Sequence, residues 1–202
     1  LVEVAGSTLL DHVLGHLRAA RIGRIVVNVH YLADQIEAHL AAHAADFTVA
    51  ISDERALLRD TGGGLVQALP LIAHHHMAWL GGDHSVTLSL LRAYMRHSGR
   101  PLAVVHFDAH CDTWTDHFGE PSGHGTWVYE AITEGLVLPA CFTQIGIRSA
   151  GERAAREYVS AQGGQIFTAR SLRGLESPAQ LAPVLQAITS RLAAHGNPPL
   201  YI

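Results

Sequence analysis

The chain has 202 residues, of which 48% are apolar and 16% are charged, so it can bury a globular core. Its net charge is −4 and it contains no lysine, which argues against a nucleic-acid partner. It has neither an apolar run of about 18 residues nor a signal-peptide pattern, so we expect no membrane contact and a cytoplasmic location.

Predicted helices and strands alternate from the first residues onward. Ser7 or Thr8 can cap a helix that runs to about residue 21, with leucine and valine at helical spacing. β-Branched residues then predict a strand at 24–30, followed by a helix at 33–45 and a strand at 47–52. Alternation of this kind indicates that the strands pair in parallel.

The same alternation continues along the rest of the chain and predicts an α/β fold. No internal repeat or low-complexity linker interrupts it. The predicted strands lie at 77–80, 102–107, 142–147, 165–168 and 199–202, and the predicted helices at 85–97, 125–134, 150–161 and 177–194.

The segment 106–112, with the sequence HFDAHCD, brings three hard metal ligands directly after an apolar strand. Asp108, His110 and Asp112 are two residues apart, so an extended chain would turn all three toward one crevice at the strand end. Carboxylate and imidazole donors suit Mn²⁺ or a similar divalent ion. Cys111 would face away and pack as a small buried side chain. The segment therefore predicts a metal site.

Three further motifs accompany this segment: GGDHS at 81–85, SGHGT at 122–126 and QIGIR at 144–148. The two glycines of the first permit a sharp turn that presents His84. Together the four motifs resemble those of the ureohydrolases, the family of arginase and agmatinase, over about residues 73–202. The resemblance implies a three-layer αβα fold with a mainly parallel sheet and an active site that holds two Mn²⁺ ions.

The resemblance also implies a role for each motif residue. Asp108 would bridge the two ions, His84 and Asp112 would hold one of them, and His110 would hold the other. Asp112 would carry a proton to the leaving amine, and His124 would lie at the substrate mouth as a proton relay or substrate contact. The reaction implied is hydrolysis of a guanidino compound by a hydroxide that bridges the ions.

The residues that follow the metal motif bear on the substrate. Arginases carry an asparagine here that meets the amino-acid end of arginine, whereas this chain has Thr113 and Trp114, as agmatinase-like members do. The resemblance therefore implies agmatine as the substrate, with putrescine and urea as products; guanidinobutyrate is the next choice. If the family's assembly is kept, the partners are further copies of the chain, as a trimer or hexamer.

The first 71 residues are similar to the sugar-phosphate nucleotidyltransferases. The resemblance rests on LVEVAG at 1–6, VNVHYL at 27–32, Asp53-Glu54 and TGGG at 61–64. It implies a partial Rossmann-like segment in which the glycine-rich turn lies beside a nucleotide. The phosphate loop and metal-binding aspartate of that family are absent from the chain.

We therefore expect two partial domains. Residues 1–72 form the nucleotidyltransferase-like segment, and residues 73–202 form an agmatinase-like domain that is truncated at its C-terminus. Residues 199–202 resemble the start of the ureohydrolase strand that carries two further carboxylate ligands, and that carboxylate motif would follow just after Ile202. The alternative functions are a nucleotidyltransferase that forms an NDP-sugar from a sugar 1-phosphate, or an inactive fusion or fragment.

Several side chains keep two interpretations. His106 would either support the metal ligands or pack in the core. His124 could be an ordinary turn residue, and Gly62–Gly64 a plain turn. The run His74–His76 is interpreted as exposed linker, because consecutive residues cannot all face one ion.

Overall fold

The structure is a computed structural model that describes residues 1–57, 60–72, 83–116 and 119–202. The chain forms two compact units, Leu1–Ala78 and Trp79–Ile202. The strand predicted at 77–80, the run His74–His76 and the glycine pair at 81–82 lie outside the described residues. The predicted domain boundary at residue 72 stays a prediction.

The first unit contains a small parallel sheet and its helices. The strands are β1 (Glu3–Val4), β2 (Ser7–Thr8), β3 (Arg24–Val29) and β4 (Thr48–Asp53), and the helices are α1 (Leu9–Ala19), α2 (Ala33–His43) and α3 (Asp60–Ala68). Strands β3 and β4 pair in parallel, with Arg24 opposite Thr48, which confirms the predicted alternation. Strands β1 and β2 form a short antiparallel pair. The core of the unit consists of Leu14, Ile25, Leu40, Ala44 and Phe47.

Helix α1 begins at a capping box, as its sequence indicates. Thr8 Oγ1 accepts a hydrogen bond from the Asp11 backbone N–H at 3.0 Å, and Asp11 Oδ2 accepts one from the Thr8 backbone N–H at 3.1 Å. The two side chains satisfy backbone donors that a helix start would otherwise leave unpaired. Thr8, rather than Ser7, is therefore the cap.

The glycines at 62–64 do not form the turn that their sequence suggests. They lie inside helix α3. A Cβ atom at Gly64 would collide with Glu54 Oε1 and would lie 2.6 Å from Asn28 Nδ2, and these two atoms are hydrogen-bonded to each other at 2.8 Å. Glycine is needed here for close packing of the helix rather than for an open loop.

The second unit is built on a four-stranded parallel sheet in the order β7-β6-β5-β8. Its strands are β5 (Leu102–Phe107), β6 (Val137–Ile147), β7 (Gln165–Thr168) and β8 (Leu200–Tyr201), and its helices are α4 (Val86–Ser98), α5 (Trp127–Thr133), α6 (Arg153–Ala161) and α7 (Pro178–Ala194). All of the predicted elements that fall on described residues are present. Strand β6 begins five residues earlier than predicted, since it starts at Val137 and not at 142.

Strand β5 lies inside the sheet and is buried along nearly its whole length. Its first five residues are buried and only Phe107 is exposed. Such a continuous apolar run is typical of a parallel strand that is covered on both faces. The core around it contains Leu88, Leu91, Val104, Trp127, Val128 and Phe142, among others. No helix in the described part of the chain is long and apolar enough to cross a membrane.

Gly164, just before β7, offers a test of this packing. We expect Gly164→Ala to lower the free energy of unfolding of the second unit by about 1 to 3 kcal/mol, because an added Cβ would lie 2.5 Å from Val159 Cγ1 and 2.8 Å from the Phe142 carbonyl oxygen. Urea unfolding curves measure the change. The matched control is Gly151→Ala, whose Cβ would meet nothing closer than Trp114 at 3.7 Å. Equal stability of the two variants would contradict the close packing of Gly164 against Val159 and Phe142.

Candidate metal centre

The loop after β5 is held against the end of β6 by backbone hydrogen bonds. The Asp108 N–H donates to the Ile145 carbonyl at 3.1 Å, and the Arg148 and Ser149 N–H groups both donate to the Ala109 carbonyl at 2.9 Å. Gly146 allows this approach, because it has φ +96° and an added Cβ would lie 3.2 Å from the Asp108 carbonyl oxygen. The QIGIR motif therefore fixes the backbone of the metal motif.

Four side chains converge at this end of the sheet. One ligand atom from each of His84, His106, Asp108 and Asp112 lies within 4.8 Å of the other three. His84 Nδ1 is 3.0 Å from Asp112 Oδ2 and 3.2 Å from Asp108 Oδ2. His84 itself stands in the turn just before α4. The structure thus brings together three of the residues that the sequence singled out, and adds His106.

His110 does not join this cluster, although we expected it on the same side as Asp108 and Asp112. Its side chain is 60% exposed, and its Nδ1 lies 3.1 Å from Asp108 Oδ1. The reason is that residues 108–112 do not continue the strand: Asp108 Oδ1 accepts from the His110 backbone N–H at 2.9 Å in a local turn. The alternation of an extended chain therefore ends at Phe107. The role of His110 as a ligand stays a prediction.

Asp112 is the most constrained of the four. Its φ is +52°, a left-handed value that residues other than glycine rarely adopt, and aspartate and asparagine tolerate it better than most. The side chain is buried, and its Oδ2 accepts a hydrogen bond from Trp127 Nε1 at 2.8 Å. Its carbonyl accepts from the Val128 N–H at 3.0 Å. Strain of this kind is held only where the surroundings determine it, which is frequent at functional sites.

Besides Asp108, His106 has a polar neighbour on the adjacent strand, Gln144. The two residues are opposite each other in the register of β5 and β6, and both are buried. Gln144 Nε2 lies 2.8 Å from the Cys111 carbonyl oxygen and 3.1 Å from His106 Nδ1. Because a carbonyl can only accept, the Gln144 amide nitrogen must face it, and its second N–H then donates to His106 Nδ1.

This arrangement assigns the tautomer of His106. With Nδ1 accepting, the proton of the neutral ring sits on Nε2, which lies 3.3 Å from Asp108 Oδ2. His106 therefore donates to a carboxylate of the cluster and orients it, as groups behind a metal ligand commonly do. The sequence alone does not decide between this role and plain packing in the core. The available signal was a buried histidine and a buried glutamine on neighbouring strands.

Electrostatics distinguish the two imidazoles. The hydrogen bond with the Asp112 carboxylate raises the pKa of His84 above its usual value. Partial burial lowers this pKa, but by less. Burial lowers the pKa of His106, which keeps that ring neutral. Burial alone would raise the pKa of Asp108, but the hydrogen bond from the His110 backbone and the adjacent imidazoles lower it. A metal must displace the His84 proton, so acid opposes metal binding at this centre.

His124 lies apart from the cluster, on the exposed turn before α5. Its Nδ1 is 3.6 Å from Asp83 Oδ2, and its side chain is 56% exposed. The turn is shaped by Gly125, where an added Cβ would lie 3.1 Å from the Trp114 ring, and by Thr126, which hydrogen-bonds to Gly123. The position at a substrate mouth stays a prediction.

The donor set fits a hard or borderline divalent cation. Two carboxylates and the His84 imidazole converge, with His106 behind them, and such donors suit Mn²⁺. A cavity of about 200 Å³ adjoins them, lined by His84, Val104, Val105, His106, Phe107, Trp127, Tyr201 and Ile202. The Cys111 side chain is fully buried, as predicted.

Comparison with known proteins places these motifs in a family context. The sequence model of the arginase family matches residues 9–202. An agmatinase from Serratia proteamaculans is 37% identical over 132 residues, which is 65% of this chain and 38% of that protein. An agmatinase from Chromobacterium violaceum is 51% identical over 73 residues, 36% of this chain and 23% of that protein. The chain thus matches well under half the length of these relatives.

The fold is shared with solved structures. A crystal structure of a hypothetical agmatinase from Burkholderia thailandensis is 28% identical, with a TM-score of 0.55 over 77% of this chain and 47% of that one. The predicted α/β fold with a parallel, arginase-like sheet is therefore confirmed.

The nucleotidyltransferase resemblance of residues 1–71 is not borne out. The arginase-family match begins at residue 9 and so includes most of that segment. The glycines that were expected to approach a nucleotide instead lie within α3. The prediction of a partial Rossmann-like nucleotidyltransferase segment is therefore wrong, and the alternative NDP-sugar activity loses the resemblance on which it rested.

Proposed function

The chain belongs to the arginase family, and on that premise we propose that it hydrolyses a guanidino compound, with agmatine as substrate and putrescine and urea as products. The observation that carries the proposal is the convergence of His84, Asp108 and Asp112 at the carboxyl end of β5. Ligands of open α/β sheets bind at this end of the strands. The agmatinase relatives support the choice of reaction.

In this proposal the chain's residues divide the work of binding and proton transfer. Two divalent ions, Mn²⁺ by preference, would supply a water molecule that loses a proton near neutral pH. His84 and Asp112 would hold one ion, Asp108 would contact both, and His110 would hold the other from its exposed position beside Asp108. His106 would keep the Asp108 carboxylate in orientation through Nε2.

Two residues would act on the substrate. Asp112 would accept the proton that the water loses and pass it to the amine that leaves. Its carboxylate is buried and is oriented for this by the hydrogen bond from Trp127 Nε1. His124 would contact the substrate from the exposed turn before α5. Both roles are part of the proposal.

The preference for agmatine has a local argument. The Thr113 hydroxyl donates to the Ala155 carbonyl, so it is committed within the fold and does not point to a substrate carboxylate. Trp114, the next residue, packs beside Gly125 and Gly151. Agmatine lacks the α-carboxylate of arginine and needs no such contact. We further propose that the protein acts in the cytoplasm as a homo-oligomer, a trimer or hexamer.

The test is urea release by the protein with added Mn²⁺. We expect urea from agmatine, a kcat/KM for arginine at least about 100-fold lower because a buried carboxylate would find no partner, and no urea after chelation of the metal. Guanidinobutyrate is assayed in parallel. If all three guanidines stay intact with Mn²⁺ bound, the proposal fails and the inactive-fragment interpretation takes its place.

A further inference from the structure

A second group of metal-ligand side chains lies in the first unit, on the facing helices α1 and α2. One ligand atom from each of Asp11, His39 and His43 lies within 4.8 Å of the other two. His39 and His43 are four residues apart on α2, so their rings lie on the same face of the helix. The ring centroids are 4.2 Å apart.

The Asp11 carboxylate is held in place and keeps one oxygen toward the histidines. Its Oδ2 is fixed by the backbone and hydroxyl of Thr8 at 3.1 and 2.7 Å. Its Oδ1 lies 2.7 Å from His39 Nε2. The hydrogen bond with Thr8 lowers the pKa of Asp11 to about 2, so the group is ionised at neutral pH. A charged, positioned oxygen therefore faces the two imidazoles.

The His43 ring is also oriented by its own helix. Its Nδ1 lies 3.1 Å from the His39 carbonyl oxygen and must carry the proton there, because a carbonyl only accepts. That leaves Nε2 as the free donor atom. A backbone carbonyl behind the second ring nitrogen is a usual support for histidine ligands. His43 is exposed, so this nitrogen is open to a metal from solvent.

We propose that Asp11, His39 and His43 form a binding site for a transition-metal ion of the zinc class, separate from the centre of the second unit. Imidazole donors favour Zn²⁺, Cu²⁺ or Ni²⁺ over the Mg²⁺ and Ca²⁺ that oxygen sites take. Three protein ligands leave a fourth position for water. This inference is independent of the proposed hydrolysis.

A tetrahedral ion at this site requires the three side chains to move from their present positions. Zinc bonds of about 2.0 to 2.2 Å place neighbouring ligand atoms about 3.3 to 3.5 Å apart. The Asp11 Oδ1 to His39 Nε2 distance of 2.7 Å must therefore open slightly, since the ion takes the place of that hydrogen bond. His43 must close on the pair, so its exposed ring must turn out of the nearly parallel stack with His39, whose interplanar angle is 24°.

Metal binding here would join α1 to α2. Since Asp11 is in the first turn of α1 and both histidines are in the second half of α2, the ion would cross-link two helices around the core of the first unit. A ligand that binds only the folded state stabilises it in proportion to the logarithm of its free concentration. Zinc should therefore protect the first unit from unfolding.

The test is a Zn²⁺ titration of the whole chain followed by ¹H–¹⁵N correlation of the imidazole nitrogens. We expect the His39 and His43 signals to shift in step. This readout separates the site from His84 and His106, whose signals report the other centre. The His43→Gln variant, at an exposed position, should lower the zinc affinity measured from the His39 signal at least about tenfold. The His16→Gln variant, on the exposed side of α1, should leave that affinity unchanged.

Two results would overturn the proposal: His39 and His43 signals that do not move when Zn²⁺ saturates the chain, or equal affinity at His39 in wild type and His43→Gln. Asp11→Asn serves as a second variant, because its side-chain oxygen can still accept from Thr8 while its charge is gone. Unchanged zinc affinity in Asp11→Asn would likewise count against the site. The backbone amide spectrum checks that each variant is folded.

Discussion

The Asp112→Asn variant is expected to lose at least about 100-fold in Mn²⁺ affinity, and urea release from agmatine with it. Loss of the groups behind a ligand already costs about 10- to 100-fold, and Asp112 is proposed as a ligand itself. Asparagine is the sharpest replacement, because it tolerates the left-handed φ of +52° and still offers an oxygen to Trp127 Nε1. The fold should therefore survive while the charge is removed.

The measurements are Mn²⁺ binding by titration calorimetry and urea release at saturating Mn²⁺. Asp116→Asn is the matched control, because Asp116 is an exposed aspartate four residues further on, outside the cluster, and accepts a hydrogen bond from the Gly119 N–H. It should bind Mn²⁺ and release urea as the wild type does. Wild-type Mn²⁺ affinity in a folded Asp112→Asn protein would remove Asp112 from the metal centre.

The regular elements of the fold could be predicted because local sequence determines them. Strand β5 begins with the apolar run Leu102–Val105, which is typical of a strand buried on both faces, and the predicted bounds 102–107 match the structure. Helix α7 has Ser177 as its cap and Pro178 at its first position. These signals lie within a few residues of the element that they define.

The metal centre was predictable only in part. Asp108, Asp112 and His84 could be named from their motifs. His110 lies 3.1 Å from Asp108 on the exposed side, outside the group of four, and its role as a ligand stays a prediction. The turn made by Asp108 with the His110 N–H, and the left-handed Asp112, depend on the end of β6 and on Trp127. Such long-range contacts leave no periodic pattern in the sequence.

Residues 61–64 show how a local signal can mislead. Three successive glycines favour a turn by intrinsic preference. In the structure they belong to α3, and position 64 requires glycine because the close contact with Asn28 and Glu54 excludes a side chain. The partner residues are ten or more positions away, so the reason for glycine cannot be found in the glycine run itself.

Gln144→Leu is expected to have the largest effect on stability of any single change at the site. Gln144 is fully buried, and its two amide N–H groups serve the Cys111 carbonyl and His106 Nδ1. Leucine would leave both acceptors buried without a donor, at a cost of about 2 to 4 kcal/mol in the free energy of unfolding. Gln144 Oε1, like Gln165 Oε1, is buried with no hydrogen-bond partner among the described residues, so the loss of the oxygen is common to Gln144→Leu and the control, and the difference reports the two N–H groups. His106 would also lose the contact that sets its tautomer, so Mn²⁺ affinity should fall by about 10- to 100-fold.

Gln165→Leu supplies the matched control on the neighbouring strand. Gln165 Oε1 is buried with no hydrogen-bond partner among the residues that the structure describes, so its removal relieves an unpaired group and should leave stability equal or higher. Urea unfolding curves and Mn²⁺ titrations of both variants are compared. If the two leucine variants lose the same free energy of unfolding, the cost is one of packing alone, and the hydrogen bonds of Gln144 do not position His106. If only Gln144→Leu loses stability and Mn²⁺ affinity together, the strand that carries QIGIR supports the metal centre through a neutral histidine.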